Sequence, residues 1–498
     1  MSLQELIDWN PWWDQPENIE NDHDIKNWAN SSFKWQPRLS ETIEDLDIIY
    51  VLRGPRRVGK TTLLKLKVKK LLEIGVKPEN IFYYPCDAVD NPKQLVLMID
   101  RYLTHVRKKG ERAYLFIDEV SMLKDWQRGM KLLIDSGKLR NCTCILTGSH
   151  SIDIRKASES LSGRRGEVHK LRYGTPDKIL LPAKFSEYVE TRSEKLFRVF
   201  RELWILSINK RKEIFLNLAN GNIPLELERL MLYSKDLKLL LDEYLLTGGI
   251  AQAVSEYVYS RRISESTYGT FIQFLIRDIS RWGARENYAR QILRRIIETL
   301  SCHVSWSALK EDTEIGDHKT VESYVNILKD SFIISCVYQL NINKDSPYYQ
   351  KEKKIYFQDP FIFHACRSWA YGRRAFDSSI EFLALEENKS KLIECVVSNH
   401  LMRFVFNLFP SPLFDPTNYV FYWQSKKREL DFALRLNGKY IPIEVKYSSK
   451  IQKKDAFGIY DFLKCGRSYP FGIIVSKDTL SVGSSFVEVP VHLFLLLA

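Results

Sequence analysis

"LRGPRRVGKTT" occupies Leu52–Thr62, and its reading decides the fold of the N-terminal part of the chain. It contains G-x-x-x-x-G-K-T, with Gly54, Gly59, Lys60 and Thr61 in place. The apolar run "DIIYVL" precedes it and the helix-forming "KTTLLKLKVKKLL" follows, the strand–loop–helix setting that a phosphate-binding P-loop requires. Its glycines let backbone N–H groups wrap an anion, and the helix N-terminus adds its positive end. The expected nucleotide contacts are Gly54, Pro55, Arg56, Arg57, Val58, Gly59, Lys60, Thr61 and Thr62. Lys60 is expected to reach the β- and γ-phosphates of ATP, and Thr61 to bind Mg²⁺.

Working outward, "AYLFIDEV" supplies the second half of such a site. Asp118 ends an apolar strand, where a carboxylate holds the Mg²⁺ shell, and Glu119 is placed to polarise an attacking water. "CTCILTGSHS" reads as a third core strand, whose Thr147 or Ser149 either senses the γ-phosphate or caps the turn. Short apolar strands alternate with helix-like stretches from about Ile48 to Val189, which predicts an α/β unit with a largely parallel sheet.

The chain has 498 residues, 45% of them hydrophobic and 27% charged, which suits several globular domains and excludes a disordered class. No apolar run approaches the ~18 residues needed to span a bilayer, and the opening "MSLQELIDWNPWWDQ" lacks the order of a signal peptide. The eight cysteines are scattered, apart from Cys142 and Cys144 on one face of a buried strand. Packing explains that pair better than zinc, and a reducing, cytoplasmic location is expected. The net charge of +12 is uneven: residues 1–50 hold eleven carboxylates against three Lys/Arg, so the remainder carries about +20. A basic body points to a polyanion, DNA first.

Trp9, Trp12, Trp13, Trp28 and Trp35 mark the acidic N-terminal segment as an arm packed over the next domain, or else a stacking surface for bases. From Arg192 to Trp282 the pattern is helical. Three helix-length segments follow, the last being "DHKTVESYVNILKDSFII", where Asp317 is a cap and Val321, Tyr324, Val325 and Leu328 form an apolar stripe. This order suggests a winged helix-turn-helix with His318, Lys319 and Thr320 facing DNA, or a trihelical spacer.

"RELDFALRLNGKYIPIEVKYSSK", Arg428–Lys450, reads as a β-hairpin turning at Asn437-Gly438. Leu430, Phe432, Leu434, Leu436, Ile441, Ile443 and Val445 then share an apolar face. Asp431 falls directly opposite Glu444, an unfavourable pairing of like charges. A divalent cation between them converts repulsion into coordination, since hard oxygen ligands suit Mg²⁺ or Mn²⁺. Upstream, Glu394 heads the helical line Val397, Leu401, Phe404 and Leu408. The plain alternative is a solvated face with Glu429 paired to Lys446.

"VLRGPRRVGKTTLLK", "YLFIDEVSMLKDWQRGMKLLIDSG", "ILTGSHSIDI", "LSGRRG" and "LPAKFSEYV" together resemble the AAA-related ATPases of archaea and bacteria, similar in their core to replication-initiator and signal-transduction ATPases. The resemblance continues through "YLLTGGIAQAV" to a C-terminal domain of the PD-(D/E)XK nuclease type. It implies Arg164 or Arg165 as a finger or sensor for the γ-phosphate. It also implies Glu394, Asp431 and Glu444 as metal ligands, with Lys446 positioning the nucleophilic water. Ala251 stands where relatives often carry the proline of Gly-Gly-x-Pro in a helical lid.

The resulting expectation is an α/β multidomain chain. It comprises a Trp-rich arm (1–45), a P-loop ATPase core with parallel sheet (46–190), a helical lid (191–283), a winged helix (284–345) and a C-terminal α+β restriction-endonuclease-like domain (346–498). Hydrolysis is assigned to Lys60, Thr61, Asp118 and Glu119, and metal-dependent DNA cleavage to Asp431, Glu444, Lys446 and Glu394. The competing reading is an ATP-driven switch or scaffold whose last domain binds DNA or protein without cutting. A helicase or loader is a third reading; a homo-oligomer fits each, and a membrane partner fits none.

Overall fold

The computed structural model describes residues 3–148, 161, 163–172, 174–411 and 414–498. They form two units: residues 3–181 with a short return at 410–411, and residues 182–409 with 414–498.

The first unit is built on five strands, β1 (Ile49–Arg53), β2 (Ile81–Pro85), β3 (Ala113–Asp118), β4 (Cys142–Gly148) and β5 (Asp177–Ile179). Their order is β2-β3-β4-β1-β5, and every pairing is parallel. Helices α1 (Lys60–Glu73), α2 (Pro92–His105) and α3 (Trp126–Asp135) run between strands. A parallel sheet needs cover on both faces, which is why β3 and β4 are largely apolar and buried along their whole length. Asn91 starts α2 by accepting the N–H groups of Lys93 and Gln94. Phe82 stacks on Tyr102 of that helix at 4.5 Å, in a core shared with Leu115, Ile117, Met130 and Leu146. Cys142 and Cys144 are free thiols packed in β4, as their spacing suggested, and burial pushes the Cys142 thiol up to about 11.

The Trp-rich arm lies along β2, the edge strand. Trp12 and Trp13 both donate through Nε1 to the Ile81 carbonyl, at 3.0 and 2.8 Å. Asn10 imitates a neighbouring strand: its Oδ1 accepts the Tyr83 N–H at 2.7 Å and its Nδ2 donates to the Tyr83 carbonyl at 3.0 Å. Of the two readings of these tryptophans, packing is the one these contacts support.

The second unit begins with helices from Phe185–Arg192 to Glu265–Arg281. Then come α4 (Glu286–Glu298), β6 (His303–Val304), α5 (Trp306–Lys310), α6 (His318–Asp330), β7 (Ile334–Asn341), β8 (Ser346–Pro347) and β9 (Lys353–Phe357). Asp317 caps α6 by accepting the Lys319 N–H, and Val321, Tyr324, Val325 and Leu328 are its buried stripe. The long helix α7 (Glu386–Leu408) leads into β10 (Val420–Gln424), β11 (Glu429–Leu436) and β12 (Lys439–Val445). These are followed by α8 (Phe457–Leu463), β13 (Gly472–Ser476), β14 (Ser481–Val482) and β15 (Phe486–Pro490).

One sheet runs through all of this, β14-β15-β13-β12-β11-β10-β7-β9-β6, with β8 on β7. The boundary expected at 345/346 therefore falls between β7 and β9, which pair with each other, while β7 also pairs in parallel with β10. Strands on either side of that boundary complete each other's hydrogen bonds.

The hairpin turns at Asn437-Gly438 in the register read from the sequence, with Phe432 opposite Ile443 and Arg435 opposite Tyr440. Its outer side departs from expectation. Phe421 faces Ala433 but Trp423 faces Leu430, so a two-residue step on β10 spans three residues of β11. This is a β-bulge at Asp431-Phe432. It breaks the alternation, and Leu430 joins Ala433 and Tyr440 against Ala456, Ile459 and Phe462 of the α8 side instead of sharing the Phe432 face.

Candidate functional site

The P-loop sits between β1 and α1. Gly59 has φ +99°, a left-handed conformation that favours glycine, and a Cβ on Gly54 would come within 2.1 Å of the Leu180 carbonyl oxygen. Lys60 is buried and donates to the carbonyls of Gly54 and Pro55 at 3.1 and 3.0 Å. Its ammonium also stands 3.8 Å from Glu119. Val58 is buried, Arg57 exposed, and Pro55, Arg56 and Thr62 complete the loop and first turn.

Asp118 is the centre of this site. Thr61 donates to its Oδ2 at 2.6 Å, Tyr83 donates to the same oxygen at 3.1 Å, and Thr147 donates to Oδ1. The Glu119 N–H is held by Asp118 Oδ1 at 3.1 Å and Thr147 Oγ1 at 2.9 Å. Glu119 has φ +49°, rare for a residue with a side chain, so these bonds hold a strained backbone at the site. Burial and the Asp118 charge push the Tyr83 hydroxyl well up, so it stays a donor. Lys65 of α1 places its ammonium 3.5 Å from the Tyr83 ring centroid and pairs with Asp22 of the arm at 3.0 Å.

Thr61 and Asp118 thus converge as hard oxygen donors, the set that suits Mg²⁺ carrying phosphate and water ligands, and the residues fit Mg-ATP. Thr147 is turned to the two acids and positions them. Ser149 lies outside the described residues. Arg165, one of the two finger or sensor candidates, is buried and bonded twice to Asp177, at 2.5 and 3.1 Å. Arg164 pairs with Asp135 at 3.0 Å on the surface. The Gly248-Gly249 pair serves packing within the second unit: Gly249 N–H donates to Asp359 at 2.7 Å, and a Cβ there would meet the Ala183 carbonyl oxygen at 1.9 Å.

In the second unit Glu394, Asp431, Glu444 and Lys446 come together as the sequence implied, but a residue that reading missed stands among them. Lys354 of β9 is 1% exposed and reaches Glu429 at 2.7 Å, Asp431 at 3.0 Å and Glu394 at 3.2 Å. Tyr356, two residues on, donates to Glu394 at 2.6 Å. The second Asp431 oxygen accepts the Val445 N–H at 2.9 Å, and Lys446 pairs with Glu444 at 2.8 Å. Burial opposes the Lys354 charge, but Tyr356 and the three carboxylates more than offset it and hold its ammonium well up. Burial and Asp431 push Glu444 up to about 8. Among the described residues no group of three or more His, Cys, Asp or Glu is arranged to hold a metal ion. Asp431 and Glu444 thus each face an ammonium group, Lys354 and Lys446 respectively. The alternative pairing of Glu429 with Lys446 does not form, because Glu429 goes to Lys354.

His318 and Lys319 are exposed at the start of α6, with Thr320 half-buried, and His318 lies 3.3 Å from Asp317. His318 also lines a cavity of about 580 Å³ with Trp306, Gln339, Lys351, Gln424 and Lys426.

Residues 47–189 match the family model of an AAA domain, while 238–371 and 389–494 match two domains of unknown function, DUF8612 and DUF4143. An uncharacterized protein of Haemophilus influenzae is 26% identical over 155 residues, 30% of this chain. The chain spans about a third (35%) of that relative's length. Among solved structures, a Walker-type ATPase of Pyrococcus abyssi is similar at 17% identity, covering 68% of this chain and 97% of that one, with a TM-score of 0.39. The Aeropyrum pernix ORC1 protein in complex with DNA follows at 12% identity, 74% and 97% coverage, and 0.28. Both scores are too low to establish a common fold. No helix among the described residues is long and apolar enough to cross a membrane. From the loop, the parallel sheet and the family match together, residues 47–189 are a P-loop ATPase domain of the AAA type.

Proposed function

We propose that this chain hydrolyses ATP with Mg²⁺ in its first unit and uses the nucleotide state to govern engagement of DNA by the second. The observation that carries the reading is the closed set of contacts joining Thr61, Asp118, Thr147 and Glu119 beside Lys60. Thr61 and Asp118 would hold the Mg²⁺ shell, whose charge neutralises the phosphates when nucleotide is bound. Lys60 exchanges its bonds to loop carbonyls for phosphate oxygens. Glu119, its backbone fixed by two hydrogen bonds, takes the proton of the attacking water. Steady-state hydrolysis and nucleotide-binding measurements test this. Glu119→Gln should bind ATP and lose a factor of about 10² to 10⁴ in kcat, whereas Lys60→Ala should lose binding itself. Hydrolysis by Glu119→Gln at the wild-type rate removes Glu119 from the mechanism.

For DNA, the support is the basic charge outside the arm and the exposed start of α6 beside a polar cavity. Lys351 and Lys426 line that cavity and suit phosphates. Fluorescence anisotropy with labelled duplex should show affinity falling steeply with salt and a shallower slope in Lys351→Ala/Lys426→Ala. An unchanged slope would take these two lysines out of the interface.

A further inference from the structure

The acid cluster of the second unit has a feature that the ATPase reading leaves unused. Lys354 belongs to "KEKKIYF" on β9, where alternation sends Lys354 and Tyr356 to one side of the strand and Lys353, Ile355 and Phe357 to the other. The bulge at Asp431-Phe432 brings two consecutive residues of β11 toward that same side. Asp431 meets Lys354, and the Phe432 ring lies 5.9 Å from that of Tyr356. An ammonium has three N–H donors, and here it faces three carboxylates, Glu394, Glu429 and Asp431. Each carboxylate that a dication would need is therefore engaged, and Glu444 is drawn to Lys446. A divalent ion at the centroid of the three acids would stand within about 3 Å of a buried positive charge, which a low-dielectric site does not tolerate.

We propose that Lys354 is a resident cation. Its ammonium occupies the place among Glu394, Glu429 and Asp431 that a metal ion would take, so this site joins β9, β11 and α7 without metal and does not cut DNA. The proposal is independent of the P-loop, since none of its residues lies in the first unit. It also explains why Glu394 and Asp431 can be gathered in one largely buried place, with Glu429 at its edge.

Mn²⁺ itself is the probe. Bound Mn²⁺ is counted by electron paramagnetic resonance on the nucleotide-free full chain for wild type, Asp431→Asn, Lys354→Met and Lys354→Met/Asp431→Asn. Wild type and Asp431→Asn should bind the same amount. Lys354→Met should gain one Mn²⁺ per chain, at least tenfold tighter than any binding by wild type at this cluster, and the double variant should lose it. A wild-type site that disappears in Asp431→Asn overturns the proposal, as does a folded Lys354→Met that gains nothing. If Lys354→Met does not fold, the wild-type and Asp431→Asn pair decides alone. In parallel, supercoiled plasmid incubated with wild type and Mn²⁺ should stay uncut; nicking that Asp431→Asn abolishes also overturns it.

Discussion

Tyr83 carries no motif, yet it donates to the same oxygen of Asp118 as Thr61 does. A hydrogen bond to a charged group is worth ~1.5–3 kcal/mol. Tyr83→Phe should therefore raise the Mg²⁺ concentration needed for half-maximal hydrolysis by roughly tenfold or more, while ATP-saturated kcat at high Mg²⁺ falls less. A Mg²⁺ titration of the rate checks it, and an unshifted midpoint denies Tyr83 its positioning role. Lys354 is the second silent residue. Removing its ammonium leaves the largely buried Glu394 and Asp431 carboxylates without their shared partner, so Lys354→Met should cost ~3–5 kcal/mol in denaturant unfolding. Lys446→Met, at a more exposed pair, should cost less. Both residues escaped the sequence reading for one reason: a tyrosine or lysine within a strand has no pattern of its own, and its partners lie dozens of positions away. Lys60, Thr61, Asp118 and Glu119 were legible because a short spacing places them by itself.

At the scale of elements, the arm and β2 form a single device. An edge strand exposes unpaired N–H and C=O groups, and Asn10 with the two tryptophans covers them. Asn10→Ala should destabilise the first unit by ~1–3 kcal/mol in denaturant unfolding, because the Tyr83 backbone N–H and carbonyl stay buried without partners. Deletion of residues 1–45 should go further and yield aggregates in size-exclusion chromatography. A monomeric, fully folded deletion would show that the edge needs no cover. The hairpin teaches the complementary lesson. Its turn and register were readable from Asn437-Gly438 and alternation, but the bulge was not, because it arises from pairing with β10. That one extra residue moves Leu430 to the other face and carries Asp431 to Lys354.

For the whole molecule, two units with separate cores should answer to different perturbations. Calorimetry should resolve two transitions, and Mg-ATP at about 100 times its Kd should stabilise only the first unit, by ~2.7 kcal/mol. Acid should act on the second. Burial lowers His364 to about 4 and His492 to about 3, so both stay neutral in the fold while the unfolded chain takes up protons near 6.5. Unfolding then binds protons, and stability is lost as pH falls from 6.5 toward 4, by on the order of 3 kcal/mol per histidine. Asp359, raised to about 6 by burial, offsets part of that loss. His364→Gln should flatten the pH slope of the second transition, whatever its effect at neutral pH.

By itself the sequence determined what spacing and alternation can encode: the P-loop with its strand and helix, the acid pair closing β3, the cap and stripe of α6, the turn and register of the hairpin. These are contacts between near neighbours, governed by backbone geometry over a few residues. Tertiary structure alone decided that one sheet runs from β6 to β15, that the arm caps β2, and that Lys354 stands among the acids. Each of those depends on which distant strands pair, and a buried charge takes its meaning from the groups that packing brings within about 3 Å of it.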